Sequence, residues 1–371
     1  MRTLFVTGAG GSGCTTIAVA TALRAARDGL RTHLISADAG RFGELGDGVD
    51  VTRLVPDQRF REDLLALQER AGSALDLLGA AKLDADELTP LPGSTELALL
   101  RALRDSAEGG HDLVVVDISP APRAVATLAL PGQLRRYLRR LLPAERQAAR
   151  ALRPVLGRLA GVPMPTEGLY EAAARWDAEL AAAQAVIDAD SSHVRLVAEP
   201  TLAAVETLRT TGTALALLGL RTEALIANRV LPDGSTDPWL ADAAARQRKI
   251  VGQWAGAYET PHLGHDPSTA DLDALAVPAP GEPGPRSSWS IEDRIAGDGV
   301  LVWRIPLPGA VREELTLIRR GDEIVVGAGA FRRIVPLPSA LRRCTVAGAG
   351  LVEGELRVRF APDPDLWPRN R

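Results

Sequence analysis

A β-branched and aromatic run that breaks into a glycine cluster, and then into an alanine-rich stretch, leaves a chain few ways to fold locally. Arg2-Thr-Leu-Phe-Val-Thr7 leads into Gly8-Ala-Gly-Gly-Ser-Gly13-Cys-Thr-Thr16 and on to Ile17-Ala-Val-Ala-Thr-Ala-Leu23. The apolar periods predict strand, tight loop and helix. Such a loop is suited to phosphate. Glycines let the backbone approach an anion, and the unpaired N–H groups and positive dipole end of the helix point at it. Two readings fit the same letters. Gly8-x-Gly10-x-x-Gly13, with Asp38 after the next strand, meets the dinucleotide fingerprint; Gly8-x-x-x-x-Gly13-Cys14-Thr15 is a P-loop in which cysteine stands where lysine is usual.

Further along, Gly29 ends the helix and a second strand closes at Ala37-Asp38. A glycine-rich, acidic loop follows from Ala39 to Asp50, then leucines at helical spacing from Phe60 to Leu83, and an amphipathic helix from Glu96 to Ala107. His111-Asp-Leu-Val-Val-Val-Asp117 reads as a buried parallel strand with a carboxylate at its C-terminal edge, where open α/β sheets place their ligands. From Leu130 to Asp190 the pattern is helical, broken at Gly161-Val-Pro-Met-Pro165. Leucines at such spacing are first of all intramolecular core. Strands are predicted at Val194–Ala198 and Ala224–Asn228, with helices at Ala203–Leu218 and Asp237–Gly252.

At residue 276 the composition turns to Pro, Gly and Ser, and beyond it the apolar period becomes two. The expected organisation is an α/β domain at 1–275 with a helical insertion at about 130–190, a linker at 276–290 and a small β-sandwich at 291–363. A length of 371 residues suits one large and one smaller domain. The net charge of -4 gives no electrostatic reason to bind nucleic acid or an anionic membrane surface. Cys14 and Cys344 are the only cysteines, which supports neither a disulfide framework nor a cysteine-rich zinc or arsenite site, so a cytoplasmic location is expected. The residues before Cys14 lack the apolar run of an export signal, and no run is long enough for an integral membrane segment.

The later residues favour one reading of the glycine loop. VTGAGGSG resembles the short-chain reductases, but Tyr137, Tyr170 and Tyr258 all lack the lysine four residues on that such a site needs. Thr15-Thr16 instead offers a Mg²⁺-ligating hydroxyl, and Asp117 a supporting carboxylate. The fold expected is therefore a P-loop NTPase with a mostly parallel sheet.

Gly8-Ala-Gly-Gly-Ser-Gly-Cys-Thr-Thr16 resembles the deviant Walker A loop, G-K-G-G-x-G-K-T-T, of the arsenical-pump and tail-anchored-protein targeting ATPases. Ser36-Ala-Asp38 is similar to that family's S-T-D switch, Val114-Val-Val-Asp-Ile-Ser-Pro120 to its V-V-D-x-A-P switch, and Ala227-Asn-Arg-Val-Leu-Pro232 to its V-N-R-V-L-P segment. Leu128–Leu138 and Asp237–Gln247 are also similar, so the likeness runs to about residue 275. The tail, with Ile305-Pro-Leu-Pro-Gly309 and Gly350-Leu-Val-Glu-Gly-Glu-Leu356, resembles the α-crystallin-like domain of one branch.

The resemblance implies ATP or ADP with Mg²⁺ as ligand. It places Gly8, Gly10, Gly11, Gly13, Cys14, Thr15 and Thr16 around the phosphates and Asn228 at adenine. Thr15 would hold the metal, with Asp117 behind it, and Asp38 would orient the attacking water. It also implies a homo- or heterodimer and a hydrophobic protein client. The departures are specific. Ala9 replaces the signature lysine that reaches across the family's dimer, Cys14 replaces the lysine at the β/γ-phosphates, and Ala39-Gly-Arg41 stands where the family has Pro-Ala-His. Losing both positive charges implies weak or conditional binding and little hydrolysis, since removing one such group costs about 100-fold or more. This degenerate, scaffold-like ATPase has two rivals. One is an active ATPase rescued by Arg41 or Arg123 that handles hydrophobic segments; the other is a chaperone-like module with a vestigial nucleotide fold. Cys14 reads first as a small side chain filling the space that the lysine leaves; the alternative is a thiol whose pKa the helix N-terminus lowers, open to redox chemistry. The sparse methionine of the insertion, Met164, argues against a promiscuous client groove.

Overall fold

Leu113–Asp117 (β4) is apolar at every position but the last, and it is buried along its whole length. In the computed structural model, which describes residues 1–46, 48–55, 60–62, 64–65, 68–69, 83–89, 91–142, 167–282 and 289–367, it lies beside Arg2–Gly8 (β1) near the middle of a seven-stranded sheet. The other strands are Thr32–Ser36 (β2), Val49–Arg53 (β3), Ser192–Ala198 (β5), Arg221–Val230 (β6) and Tyr258–Pro261 (β7). Their order is β3-β2-β4-β1-β5-β6-β7, and every neighbouring pair is parallel. Strands β2, β3 and β4 therefore lie to one side of β1, and β5 to β7 to the other. The loop leaving β1 sits at that divide, where doubly wound sheets bind ligands.

Helix α1 (Cys14–Arg27) packs on one face, and its small residues Ala18, Ala20, Ala22 and Ala25 are all buried against the sheet. Helices α2 (Ser94–Ser106), α3 (Ala121–Leu141), α4 (Glu167–Ile187) and α5 (Leu202–Leu218) enclose the core on the other face, and α6 (Pro238–Val251) precedes β7. Their ends follow ordinary capping chemistry. The Thr201 hydroxyl accepts from the Ala204 amide, Asp237 accepts from the Leu240 amide, and Gly219 ends α5 at a left-handed φ of 77°. Among the described residues, no helix is long and apolar enough to cross a membrane.

The C-terminal strands form two antiparallel sheets. Ser290–Arg294 (β8), Val300–Pro306 (β9), Cys344–Val352 (β13) and Glu355–Pro362 (β14) make one, in the order β13-β14-β9-β8. Leu315–Arg320 (β10), Glu323–Ala328 (β11) and Phe331–Pro336 (β12) make the other. Trp303, Ile305, Ile324, Val326, Val358 and Phe360 fill the space between them. This sandwich is docked on the α/β domain. Leu217 of α5 joins its core, Thr213 donates to the Pro308 carbonyl at 2.7 Å, and Glu323 accepts from Arg136 at 2.6 Å and Arg140 at 2.8 Å, both on α3.

Two parallel strands escape the apolar pattern. Within the predicted loop after Asp38, Ala39–Phe42 forms a 3₁₀ turn and Val49 begins the edge strand β3, whose Asp50, Val51 and Arg53 are exposed. A half-solvated edge lacks the apolar run that marked β4. Strand β7 is four residues long and mostly exposed, with only Thr260 buried. In the Pro-rich stretch, Val277 is buried under α1 with Leu272 and Leu275. Arg195 of β5 is fully buried and paired with Glu223 of β6 at 2.7 Å; its guanidinium also donates to Thr21 and to the Pro278 and Ala279 carbonyls. Glu223 accepts in turn from the Gly281 amide at 2.6 Å. Most of the leucine-spaced stretch at 60–83, Met164 and the insertion residues 143–166 lie outside the described residues.

Candidate functional site

The glycines of the loop are demanded by what surrounds them. A Cβ on Gly8 would stand 1.7 Å from the Val197 carbonyl oxygen, so no side chain fits there. Gly11 and Gly13 have φ of 77° and 87°, which favour glycine, and a Cβ on Gly13 would meet the Asn228 amide at 2.5 Å. The loop is laced to β5 and β6. The Ala9 amide and Ser12 hydroxyl both donate to the Val197 carbonyl, at 3.1 and 2.9 Å, and the Ser12 amide donates to Ala9 O at 3.1 Å. Asn228 Nδ2 donates to Ser12 O at 2.7 Å. By contrast, the amides of Gly10, Gly11, Gly13, Thr15 and Thr16 have no backbone partner among the described residues. They lie on the loop and first turn of α1, where an anion is bound by N–H groups and helix dipole together.

The two positions that depart from the lysine pattern are both turned to packing. Ala9 is half-buried against the core on the α3 face. Cys14 is 4% exposed, sits in the α1 core with Val6, Ile17 and Phe42, and lies 3.5 Å from the Ser12 hydroxyl. Burial pushes its thiol up to about 11, with the Asp117 charge adding to the rise and the Ser12 hydroxyl opposing it. The helix N-terminus predicts a lowered thiol; desolvation outweighs it here.

Asp117 closes β4 beside the loop. Its Oδ2 accepts from the Ser36 hydroxyl at 2.7 Å, and that same oxygen of Ser36 accepts from the Asp38 and Ala39 amides at 3.1 Å. Its Oδ1 is buried without a hydrogen bond; the Thr15 hydroxyl lies near enough to draw the pKa down without closing one. Burial wins and the carboxyl is raised, helped by the Asp38 charge and opposed by Ser36, Thr15 and Arg41. An unmet buried carboxylate oxygen beside a threonine hydroxyl and a row of amides without backbone partners fits a hydrated Mg²⁺ carried by phosphate. Asp38 shares a small cavity with Asp117, Ser119 and Arg123.

Asn228 stands between the loop and a second cavity of about 340 Å³, lined by Gly13, Thr16, Arg229, Pro261, His262 and Leu263 among others. It is 4% exposed, and its Oδ1 accepts from Thr260 at 2.6 Å. Its carbonyl oxygen and one amide proton are thus spent on the protein.

The three arginines near the site are placed very differently. Arg123 is paired with Glu96 at 2.7 Å. Arg41 donates to the Thr16 hydroxyl at 2.6 Å, and its guanidinium lies 4.7 Å from the centre of the Phe42 ring. Arg229 donates to the Gly11 carbonyl at 2.9 Å and lies 3.6 Å from Glu199. Neither Arg229 nor the lacing role of Ser12 is visible in the spacing of the motif. The available signals were the charge directly after Asn228 at the end of a buried strand and its match to the arginine of the V-N-R-V-L-P segment.

A glycine loop between a central parallel strand and a helix, with a serine, an aspartate and an asparagine supplied from the ends of neighbouring strands, defines an α/β protein of the P-loop class. The chain belongs to the anion-transporting ATPase family, whose profile matches residues 1–269; the HSP20-like domain found in ArsA matches residues 298–360. It is similar over 100% of both chains to an uncharacterized protein of Streptomyces coelicolor, at 62% identity. A protein of Mycobacterium tuberculosis is 31% identical over 98% of this chain and 97% of its own. One from Aquifex aeolicus, provisionally named an arsenical pump-driving ATPase, is 26% identical over 96% and 99%.

Proposed function

We propose that this chain is a cytoplasmic, ArsA-like protein that binds ADP or ATP with Mg²⁺ and hydrolyses it slowly or not at all. It would work as a dimeric scaffold or client-binding partner. The observation that carries the reading is the division of labour within the loop. The backbone amides that hold phosphate have no backbone partner among the described residues, whereas the position that should carry lysine is a buried cysteine with an apolar environment. In this reading Thr15 holds the metal, Asp117 stands behind it, Asp38 positions water, and adenine lies in the cavity beside Asn228. Bound Mg²⁺ supplies positive charge at the phosphates. The chain's own amides orient them, and its missing lysines leave the developing charge poorly balanced.

Calorimetric titration with MgADP and MgATP, together with phosphate release over hours, tests this. Stoichiometric binding with turnover at background supports it. Turnover that an Asp38→Asn variant abolishes instead favours an active ATPase, a reading supported by the Arg41 contact with Thr16. Failure of both nucleotides to bind or to raise the melting temperature removes both and leaves the chaperone-like module.

A further inference from the structure

The geometry points to Arg41 and Arg229 as phosphate-binding cations of this site, supplied by the same chain from outside the loop. This rests on the nucleotide reading above and deepens it. Each guanidinium touches the loop at a different edge. Arg41 meets the start of α1 through the Thr16 hydroxyl, and Arg229 meets the glycine end through the Gly11 carbonyl. A guanidinium has five N–H donors, and these bonds to the loop occupy one on each side chain, leaving other donors on each for an anion held at the loop.

The two arginines are also held in place. Arg41 lies over the face of Phe42, which is itself buried in the α1 core, and it has no ion pair with a carboxylate among the described residues. Arg229 has a φ of 58°, unusual for a residue with a side chain, so its backbone is kept in a costly conformation that aims it back at the loop. A glycine would occupy that conformation without cost. Arg229 also lies 3.6 Å from Glu199, a longer contact than the 2.7 Å pair of Arg123 with Glu96 on α3.

The test is the affinity of full-length protein for MgADP by calorimetry, in wild type, R41A, R229G and the control R246A, whose residue pairs with Asp242 on the surface of α6. R229G is chosen because glycine accepts the backbone angle. Melting temperature without nucleotide then separates folding from binding. R41A and R229G are each expected to bind about ten-fold or more weakly, the loss of one charge-assisted hydrogen bond. R229G should do so with an unchanged or higher melting temperature, and R246A should match wild type. Wild-type binding with both arginine variants within two-fold overturns this assignment and leaves the nucleotide reading standing. Absence of binding in wild type overturns both.

Discussion

Asp117 and Ser36 share one short hydrogen bond of 2.7 Å, and the other oxygen of the same carboxylate is buried with nothing to meet it. Folding therefore raises the pKa of Asp117, and the apo protein becomes less stable as pH rises above the ordinary value of 3.8 toward the raised one. Replacing Asp117 with asparagine removes the buried charge while keeping an acceptor for Ser36. Urea unfolding without nucleotide should show D117N to be more stable by roughly 1 kcal/mol, the scale of an unsatisfied buried group. Its ADP affinity should no longer respond to Mg²⁺. A clear loss of stability contradicts this account of the site.

His33 is 8% exposed and stacks on His111 at 4.8 Å between ring centres; its Nε2 meets the Thr52 hydroxyl at 2.8 Å. Burial, then the neighbouring His111, hold its pKa below 6.5, while Asp50 pulls the other way. A depressed histidine means that the unfolded chain binds more protons. Stability is thus fully present above pH 6.5 and is lost as pH falls toward the folded value, at up to about 1.4 kcal/mol per pH unit for one proton. Melting curves between pH 7.5 and 5.5 should show the loss in wild type and a shallower slope in H33Q.

A thiol pushed up to about 11 holds only about one thousandth of its population as thiolate at pH 8. Cys14 should therefore resist an aromatic disulfide reagent in the native protein and react within seconds once urea exposes it. Rapid native labelling, assigned to Cys14 by peptide mapping, would restore the redox reading.

The Arg195–Glu223 pair is buried on both sides, at 0% and 8% exposure, and it carries the Pro278, Ala279 and Gly281 backbone. Removing one partner strands the other charge, so R195M or E223M should each cost about 3–5 kcal/mol. The double variant R195M/E223M should be less unstable than the worse single change. Additive losses in a double-mutant cycle would mean that the two side chains act independently.

Much of this was legible in the sequence because the relevant signals are local. Gly8, Gly11 and Gly13 announce a backbone that no other residue can follow, and the run ending in Asp117 announces a strand buried on both faces. The edge strand β3 was not legible, since a half-exposed strand after glycines has neither a clean alternation nor a continuous apolar run. A small Cys14 filling the space of a lysine was legible, but the ionisation of its thiol was not. A helix N-terminus and a buried core favour opposite ionisation states of one thiol, and only packing tells which prevails. Arg229 was passed over for a related reason: its reach to Gly11 comes from a backbone angle that the letters do not state.

Helix α3 begins one residue after Pro120, which lies against Gly10, and within its last two turns Arg136 and Arg140 grip Glu323 of the sandwich. At 1.5 Å per residue its 21 residues span about 30 Å, with Pro131 removing one rung of the ladder midway. The rod joins the loop to the sandwich through one continuous element. A ligand that couples the position of Pro120 to the grip on Glu323 is coupled in return, so that whatever loosens the grip changes its affinity at the loop by the same factor.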